Sequence, residues 1–128
     1  MIHIDTSILV DALTGPRHAG SAFRQVIAEG TTLRVSAIAL FEWFRGPRRH
    51  EELEDQERLF PASTIVVFGV AEAARAATIY RRLARARGRE ADIAIAATAI
   101  VHDAALWTSN PGDFRDIPDL TLFTPPAS

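Results

Sequence analysis

Apolar and polar positions alternate along the chain in a pattern that predicts short strands between longer helices. The sequence opens with the apolar run I-H-I at residues 2–4, which the charged residue Asp5 stops directly. Such a run is typical of a buried strand, and the capping residues Thr6 and Ser7 predict a helix that begins near Ser7. We therefore expect Asp5 at the carboxyl end of a first strand.

The rest of the chain continues the same alternation. Apolar residues recur at helical spacing, and helices are predicted over residues 18–29, 38–45, 51–57, 71–87 and 91–102. Clustered apolar and β-branched residues predict strands over residues 33–35, 64–68, 104–108 and 120–124, of which 64–68 is the clearest. Gly88 is expected to stop the fourth of these helices, and the acidic run 51–57 is expected to be a solvated helix face. Strands that alternate with helices predict a single α/β/α sandwich around a parallel sheet.

The composition indicates one globular domain spanning residues 1–128. Hydrophobic residues make up 48% of the chain, which is enough for a substantial core at this length. The absence of cysteine excludes disulfides, thiolate nucleophiles and cysteine zinc sites, and it is compatible with a reducing cytosol. Because no signal-peptide pattern or membrane-length apolar run is visible, we expect a cytoplasmic protein with no membrane association.

All 14 basic residues are arginines. The lack of lysine excludes a P-loop, a Schiff-base enzyme and a Ser-Lys enzyme, because each of these needs a lysine. The net charge of −2 does not favour a general polyanion binder, whereas guanidinium groups suit bidentate phosphate contacts.

Two carboxylates stand out first. Asp5 follows a buried strand, and open parallel sheets bind ligands at the carboxyl ends of their strands; alternatively, Asp5 only caps the following helix. Glu42 lies in the otherwise apolar and aromatic segment I-A-L-F-E-W-F, where it faces either a buried partner or a helix edge that reaches solvent.

Two further acids flank the predicted strand 104–108. Asp92 is the one acid of the predicted helix 91–102 and lies in its first turn, where the helix dipole favours it with or without another role. Asp113 follows the strand in T-S-N-P-G-D-F and is either a turn residue or a site residue. Asn110, three residues earlier, is an equal candidate for the turn.

These four acids meet in one crevice if the first and fourth predicted strands are neighbours. Four carboxylates without matching cations repel one another unless a hard divalent ion neutralises them, and oxygen ligands select Mg²⁺ or Mn²⁺ over zinc. Such an ion contacts phosphate oxygens and activates water, so the pattern favours phosphodiester hydrolysis. Scattered histidines and the lack of a G-x-S-x-G elbow leave no competing site.

Four segments together resemble the PIN-domain ribonucleases, specifically the VapC type of toxin in bacterial type II toxin–antitoxin systems. They are D-T-S-I-L-V-D, S-A-I-A-L-F-E-W-F-R-G, A-D-I-A-I-A-A-T-A and T-S-N-P-G-D-F, in that order, and the resemblance covers essentially the whole chain. It implies a five-stranded parallel sheet of order 3-2-1-4-5 and a Mg²⁺- or Mn²⁺-dependent endoribonuclease. It also implies a homodimer that a small VapB-like antitoxin holds inactive.

The same resemblance assigns the site residues. It implies that the metal-binding and catalytic set is Asp5, Glu42, Asp92 and Asp113. Thr6 and Thr108 match the polar positions beside this set. Some relatives have an acid where this chain has Asn110, so the fourth member is either Asp113 or Asn110.

Arginines border the expected crevice, because Arg45 follows Glu42 and both Arg85 and Arg89 precede Asp92. We expect some of them to hold RNA phosphates, although each also suits a solvated helix face. In the first case, replacing Arg85 and Arg89 by alanine weakens RNA binding and flattens its salt dependence.

Two other functions compete with the nuclease. A PIN-like module that binds RNA or protein without cutting would show similar motifs, although the presence of all four acids favours the enzyme. An aspartyl-phosphate protein would also place Asp5 after a first strand. Those sites, however, use a lysine, and the phosphatases want a second acid where this chain has Ser7.

Overall fold

The computed structural model describes residues 1–15 and 20–126 of the chain. Within these residues, three short parallel strands form a sheet of order β2-β1-β3. The strands are β1 (Ile2–Ile4), β2 (Leu33–Val35) and β3 (Ala105–Trp107). All three lie where the apolar runs predicted them, and the central strand β1 is buried along its whole length.

The carboxyl ends of the three strands are aligned. Ile4, the last residue of β1, pairs with Val35 of β2 and with Trp107 of β3. The N–H of Asp5 continues this pairing by donating a hydrogen bond of 2.9 Å to the carbonyl oxygen of Trp107. Asp5 after β1 and Thr108 after β3 therefore lie at the same edge of the sheet.

Six α-helices occur in the described residues. They are α1 (Thr6–Leu13), α2 (Gly20–Ala28), α3 (Ala37–Arg45), α4 (His50–Leu59), α5 (Val70–Arg82) and α6 (Glu90–Val101). Two 3₁₀ helices, Ala62–Thr64 and Pro111–Asp113, complete the regular structure. The parallel sheet with its helices confirms the predicted α/β class, whereas the three-layer arrangement stays a prediction.

Two helices begin directly at the sheet edge. Asp5 is the N-cap of α1, and Ser36 is the N-cap of α3, where its Oγ accepts the N–H of Ala39 at 3.2 Å. Helix α3 packs against both α1 and α6. Trp43 of α3 is fully buried, and α6 is buried on nearly every side. This packing holds the three helices in fixed positions around the edge that carries Asp5.

The predicted strand 64–68 is wrong. The structure has the 3₁₀ helix Ala62–Thr64 at its start and one isolated parallel bridge, between Val66 and Ser36. The reason is the short length of β2. The chain passes from β2 through Ser36 directly into α3, so no extended backbone is left beside residues 67 and 68 for them to pair with. Val67 is accordingly 71% exposed.

The prediction of a strand over residues 120–124 is also wrong. This segment makes one isolated parallel bridge, between Leu122 and Leu106, with two backbone hydrogen bonds of 2.8 Å. Asp119, with φ of 68°, turns the chain just before this bridge, and prolines 125 and 126 follow it. Proline lacks an N–H group and cannot continue a ladder. The sheet therefore has three strands in the described residues, not the expected five.

Helix α5 ends five residues earlier than predicted. Leu83 adopts an extended backbone and closes the helix, after which the chain turns back so that Ala86 packs in the core. Gly88, which was expected to stop the helix, has a φ of +84° and lies in the turn before α6.

Two other helix predictions are partly confirmed. Of the predicted helix 18–29, residues 18 and 19 lie outside the described residues, and α2 ends at Ala28 with Gly30 at a φ of +82°. The acidic segment is helical as predicted, but Glu52 and Gln56 are buried, so it is not a wholly solvated face. Across the described segments of the chain, none of the helices has the length and apolar character that crossing a bilayer demands.

Candidate metal centre

Asp5 is a buried carboxylate held by three donors. Its side chain is 6% exposed. Its Oδ1 accepts the N–H of Thr6 at 2.8 Å, and its Oδ2 accepts the hydroxyls of Thr108 at 2.8 Å and Ser7 at 3.0 Å. Asp5 thus caps α1 through Oδ1, while its Oδ2 is fixed by the side chains of Ser7 and Thr108. These hydrogen bonds fix the orientation of the carboxylate.

Glu42 joins the same edge from α3. The hydroxyl of Thr6 donates to its Oε1 at 2.9 Å, and Arg45 approaches its Oε2 at 3.3 Å. The side chain is 18% exposed, so it is neither a core residue nor a freely solvated one. Thr6 therefore connects Asp5 and Glu42 through its backbone N–H and its hydroxyl.

Asp92 occupies the first turn of α6 as predicted. Its pKa is raised to about 6, chiefly by burial, and then by the negative charges of Asp5, Glu42 and Asp113, while Arg89 opposes the rise. A charge raises the pKa of another acid only when the two groups lie near each other within the protein. Asp92 is therefore within electrostatic range of the other three predicted acids, and the four together are called the acidic cluster.

Asp113 and Asn110 have different positions in the turn after β3. Asn110 precedes the 3₁₀ helix Pro111–Asp113, and its N–H donates to Thr108 Oγ1 at 3.0 Å. Its carbonyl oxygen accepts the N–H of Asp113 at 3.0 Å. The backbone of Asn110 thus takes part in the turn, whereas Asp113 is exposed and its charge raises the pKa of Asp92. Whether Asp113 or Asn110 is the fourth member of the site stays a prediction.

The donor set fits a hard divalent cation in chemistry and charge. All four side chains offer only oxygen ligands, which Mg²⁺ and Mn²⁺ favour. In residues 1–15 and 20–126, however, no three His, Asp or Glu side chains are grouped closely enough to hold an ion. Binding of an ion would therefore require the carboxylates to move closer together.

The three arginines predicted to bind RNA differ in their surroundings. Arg45 pairs with Glu42, and its guanidinium lies 5.4 Å from the centre of the Phe41 ring. Arg85 is exposed. Arg89 instead forms a close ion pair with Asp116, with an N–O distance of 2.6 Å, and only 22% of its side chain is exposed.

The structure adds a serine network that the sequence did not point to. Ser7 Oγ accepts the N–H of Ser109 at 3.0 Å while it contacts Asp5, and Ser109 Oγ donates to Asp11 Oδ2 at 2.6 Å. These bonds tie the segment after β3 to α1. The adjacency of Ser7 to Asp5 was a usable signal, whereas the contact between Ser109 and Asp11 spans 98 residues and is visible only in the fold.

Comparison with known proteins gives concordant results. A family profile described as the PIN domain matches residues 2–120. The ribonuclease VapC19 of Mycobacterium tuberculosis is 38% identical to this chain over 120 residues, which cover 91% of this chain and 94% of that protein.

Solved structures share the fold over nearly the full length. VapBC from Salmonella typhimurium bound to DNA gives a TM-score of 0.79 at 19% identity, covering 95% of this chain and 96% of that one. VapBC2 from Rickettsia felis bound to promoter DNA gives a TM-score of 0.74 at 23% identity, covering 98% of this chain and 100% of that one. FitAcB from Neisseria gonorrhoeae gives a TM-score of 0.70 at 26% identity, covering 97% of each chain. Profile, sequence relative and fold agree, and the chain belongs to the PIN domain family.

Proposed function

We propose that this PIN-domain protein is a Mg²⁺- or Mn²⁺-dependent endoribonuclease toxin. It hydrolyses RNA phosphodiester bonds and is neutralised by a small VapB-like antitoxin. The ribonuclease VapC19, 38% identical over almost the whole chain, supports the activity. The likeness to VapBC complexes supports the antitoxin partner.

One observation carries the proposal, namely the effect of three other acids on the pKa of Asp92. The charges of Asp5, Glu42 and Asp113 all raise the pKa of Asp92, although these residues come from separate elements. Without an ion, such a cluster destabilises the fold. Proteins tolerate this cost mainly where the charges serve a site.

The residues of the chain have distinct roles in this proposal. Asp5, Glu42, Asp92 and Asp113 would hold the ion. Thr6 and Thr108 orient two of these carboxylates, and Asn110 shapes the turn that carries the fourth. When bound, a hard divalent ion polarises the phosphate and activates the attacking water. Arg45 and Arg85 would contact RNA phosphates from the border of the site.

A protein partner and a homodimer also belong to the proposal. Several large apolar side chains are exposed in a monomer, including Phe41 at 58%, Phe44 at 54% and Val70 at 88%. Phe41 also lines a groove of about 560 Å³ that is formed mostly by apolar residues of α3, α5 and α6. Exposed apolar surface of this kind is typical of protein interfaces.

The activity is tested by incubating the purified protein with total bacterial RNA, with Mg²⁺ or Mn²⁺ and with EDTA. The site variants are Asp5→Asn and Asp92→Asn. The control is Asp55→Asn, which replaces a partly exposed acid of α4 that pairs with Arg58. We expect metal-dependent cleavage by the wild type and by Asp55→Asn, and a loss of about 100-fold or more in the two site variants.

The outcomes separate the candidate functions. Cleavage that persists in EDTA and in Asp5→Asn would contradict the proposal, because it would come from another mechanism or a contaminant. RNA binding without any cleavage by the wild type would support the alternative, a PIN-like binding module. Size-exclusion chromatography with light scattering tests the homodimer separately.

A further inference from the structure

The guanidinium of Arg89 makes four hydrogen bonds within the protein. Its Nη1 donates to the carbonyl oxygen of Arg85 and to Asp116 Oδ2, both at 2.8 Å. Its Nη2 donates to the carbonyl oxygen of Asp113 at 2.9 Å and to Asp116 Oδ1 at 2.6 Å. A guanidinium has five N–H donors, and these contacts use four of them. Little donor capacity is left for a phosphate.

These contacts join the start of α6 to the turn that carries Asp113. Arg89 directly precedes α6, which holds Asp92 in its first turn, whereas Asp113 and Asp116 follow β3. The hydrogen bond to Asp116 is the main cause of a raised pKa of Arg89, and the charges of Asp92 and Asp113 add to it. Arg89 is therefore close to both acids, but the carboxylate to which it donates hydrogen bonds is that of Asp116.

Asp113 itself is positioned through its backbone. Its side chain is exposed, while its N–H is bonded to Asn110 and its carbonyl oxygen to Arg89. Phe114, the next residue, is 1% exposed and anchors the segment in the core. Phe114 thus holds the turn against the core, and the bond from Arg89 holds the backbone of Asp113 from the side of α6.

We propose that Arg89 and Asp116 form a clasp that positions Asp113 toward the acidic cluster, and that Arg89 is a positioning residue, not a contact to RNA. The inference rests on the proposed function, because it concerns the placement of one member of the metal site. It replaces the expectation that Arg89 holds an RNA phosphate. The planar guanidinium is essential to the clasp, since an ammonium group cannot make two parallel bonds to Asp116 and reach Asp113 as well.

The test uses Arg89→Met and Arg89→Lys, with Arg75→Met as the matched control. Arg75 lies on α5 and pairs at 3.5 Å with Asp119, which is also in the segment after β3. Two measurements are made on each protein. One is amide hydrogen exchange of residues 110–116, and the other is kcat, KM and salt dependence on a single-stranded RNA that the wild type cleaves with Mn²⁺.

The clasp predicts faster exchange of residues 110–116 in both Arg89 variants and unchanged exchange in Arg75→Met. It also predicts that kcat falls about 10-fold to 100-fold in both Arg89 variants, as for other residues that orient metal ligands. KM and the salt slope stay at the wild-type values, because no phosphate contact has been removed.

A phosphate contact predicts the opposite pattern. Arg89→Met would then raise KM and lower the salt slope by about 1, with kcat and exchange unchanged, and Arg89→Lys would restore binding. That result would overturn the clasp. If the wild type does not cleave RNA, the nuclease proposal fails. Even so, faster exchange in the Arg89 variants alone would still support the clasp, and unchanged exchange would overturn it.

Discussion

Asp92 shows at the scale of one residue how this protein keeps an unfavourable charge. It lies in the first turn of α6, where the helix dipole favours an acid, yet burial and three neighbouring acids raise its pKa to about 6. At neutral pH the cost of burial, together with repulsion by these acids, outweighs the favourable effect of the helix dipole. An ionised Asp92 therefore destabilises the protein when no cation is present.

Replacement of Asp92 by asparagine should stabilise the metal-free protein. We expect Asp92→Asn to raise the free energy of unfolding in EDTA at pH 7.5 by about 1–3 kcal/mol, since one pKa unit corresponds to about 1.4 kcal/mol. The gain should shrink as the pH falls from 6 toward 4, because wild-type Asp92 then takes up a proton. Urea denaturation measures it, with Asp55→Asn as control. A destabilised variant at pH 7.5 would argue against repulsion at this position.

His3 is a second residue with an unusual environment. It is 1% exposed in the middle of β1, and neither ring nitrogen has a hydrogen-bond partner in the part of the chain that the structure describes. Burial lowers its pKa to about 4, and the nearby positive charges of His102, the N-terminus and Arg34 act in the same direction. The fold therefore holds His3 in its neutral form.

This environment predicts acid sensitivity. Between pH 6.5 and 4 the unfolded chain protonates His3 while the folded chain does not, so the free energy of unfolding should fall by up to about 3 kcal/mol. His3→Leu should remove this part of the pH dependence and leave stability at pH 7 equal or higher. Urea titrations at pH 7 and pH 4.5 measure both. Equal acid sensitivity of the two proteins would show that His3 is not the cause.

The site residues could be predicted only as far as their own local pattern extends. Asp5 and Glu42 interrupt apolar segments, and both lie at the predicted edge. The pairing of Arg89 with Asp116 left no such trace, because an arginine in an arginine-rich segment looks the same whether it is solvated or paired. Contacts between residues distant in sequence, such as Thr108 with Asp5, also required the fold.

At the scale of the element, α3 depends on its N-terminal cap. Ser36 is 1% exposed, and its Oγ accepts the N–H of Ala39 at the point where β2 passes into the helix. Ser36 thus separates the strand from the helix and caps the helix. Glu42, six residues later on α3, accepts the hydroxyl of Thr6.

Loss of this cap should therefore be measurable. Ser36→Ala is expected to lower the free energy of unfolding by about 1 kcal/mol, because one buried N–H loses its acceptor. Ser21→Ala, at an exposed position of α2, serves as the control and should change stability little. Chemical denaturation monitored by tryptophan fluorescence is a suitable measurement. A Ser36 variant as stable as the control would refute a capping role.

The limits of the element predictions have the same physical origin. The β-branched segment 64–68 resembles a strand, but pairing needs a neighbour of equal length, and β2 ends at Val35. Helix α5 matched its periodicity yet ended at Arg82, because burial of Ala86 turned the chain. The secondary-structure propensity of a segment describes which conformation it can adopt. The length of the strand or helix that forms is decided by the neighbours available in the fold.

At the scale of the whole molecule, the parallel sheet brings together chemistry that is dispersed in the sequence. Asp5, Glu42, Asp92 and Asp113 come from four elements, and the contact between Asp5 and Thr108 spans 103 residues. The aligned carboxyl ends of β1 and β3 place Asp5 beside Thr108, and we propose that the same topology brings the four acids to one site. The site should therefore fail as a unit when any one acid is lost.

Mn²⁺ binding measured by isothermal titration calorimetry tests this convergence most directly. The titration compares the wild type with Asp5→Asn, Glu42→Gln, Asp92→Asn, Asp113→Asn and the control Asp55→Asn. We predict saturable binding by the wild type and the control, and an affinity at least about 10-fold weaker in each of the four site variants. Absence of saturable binding by the wild type, or equal affinity in all six proteins, would contradict a shared metal centre.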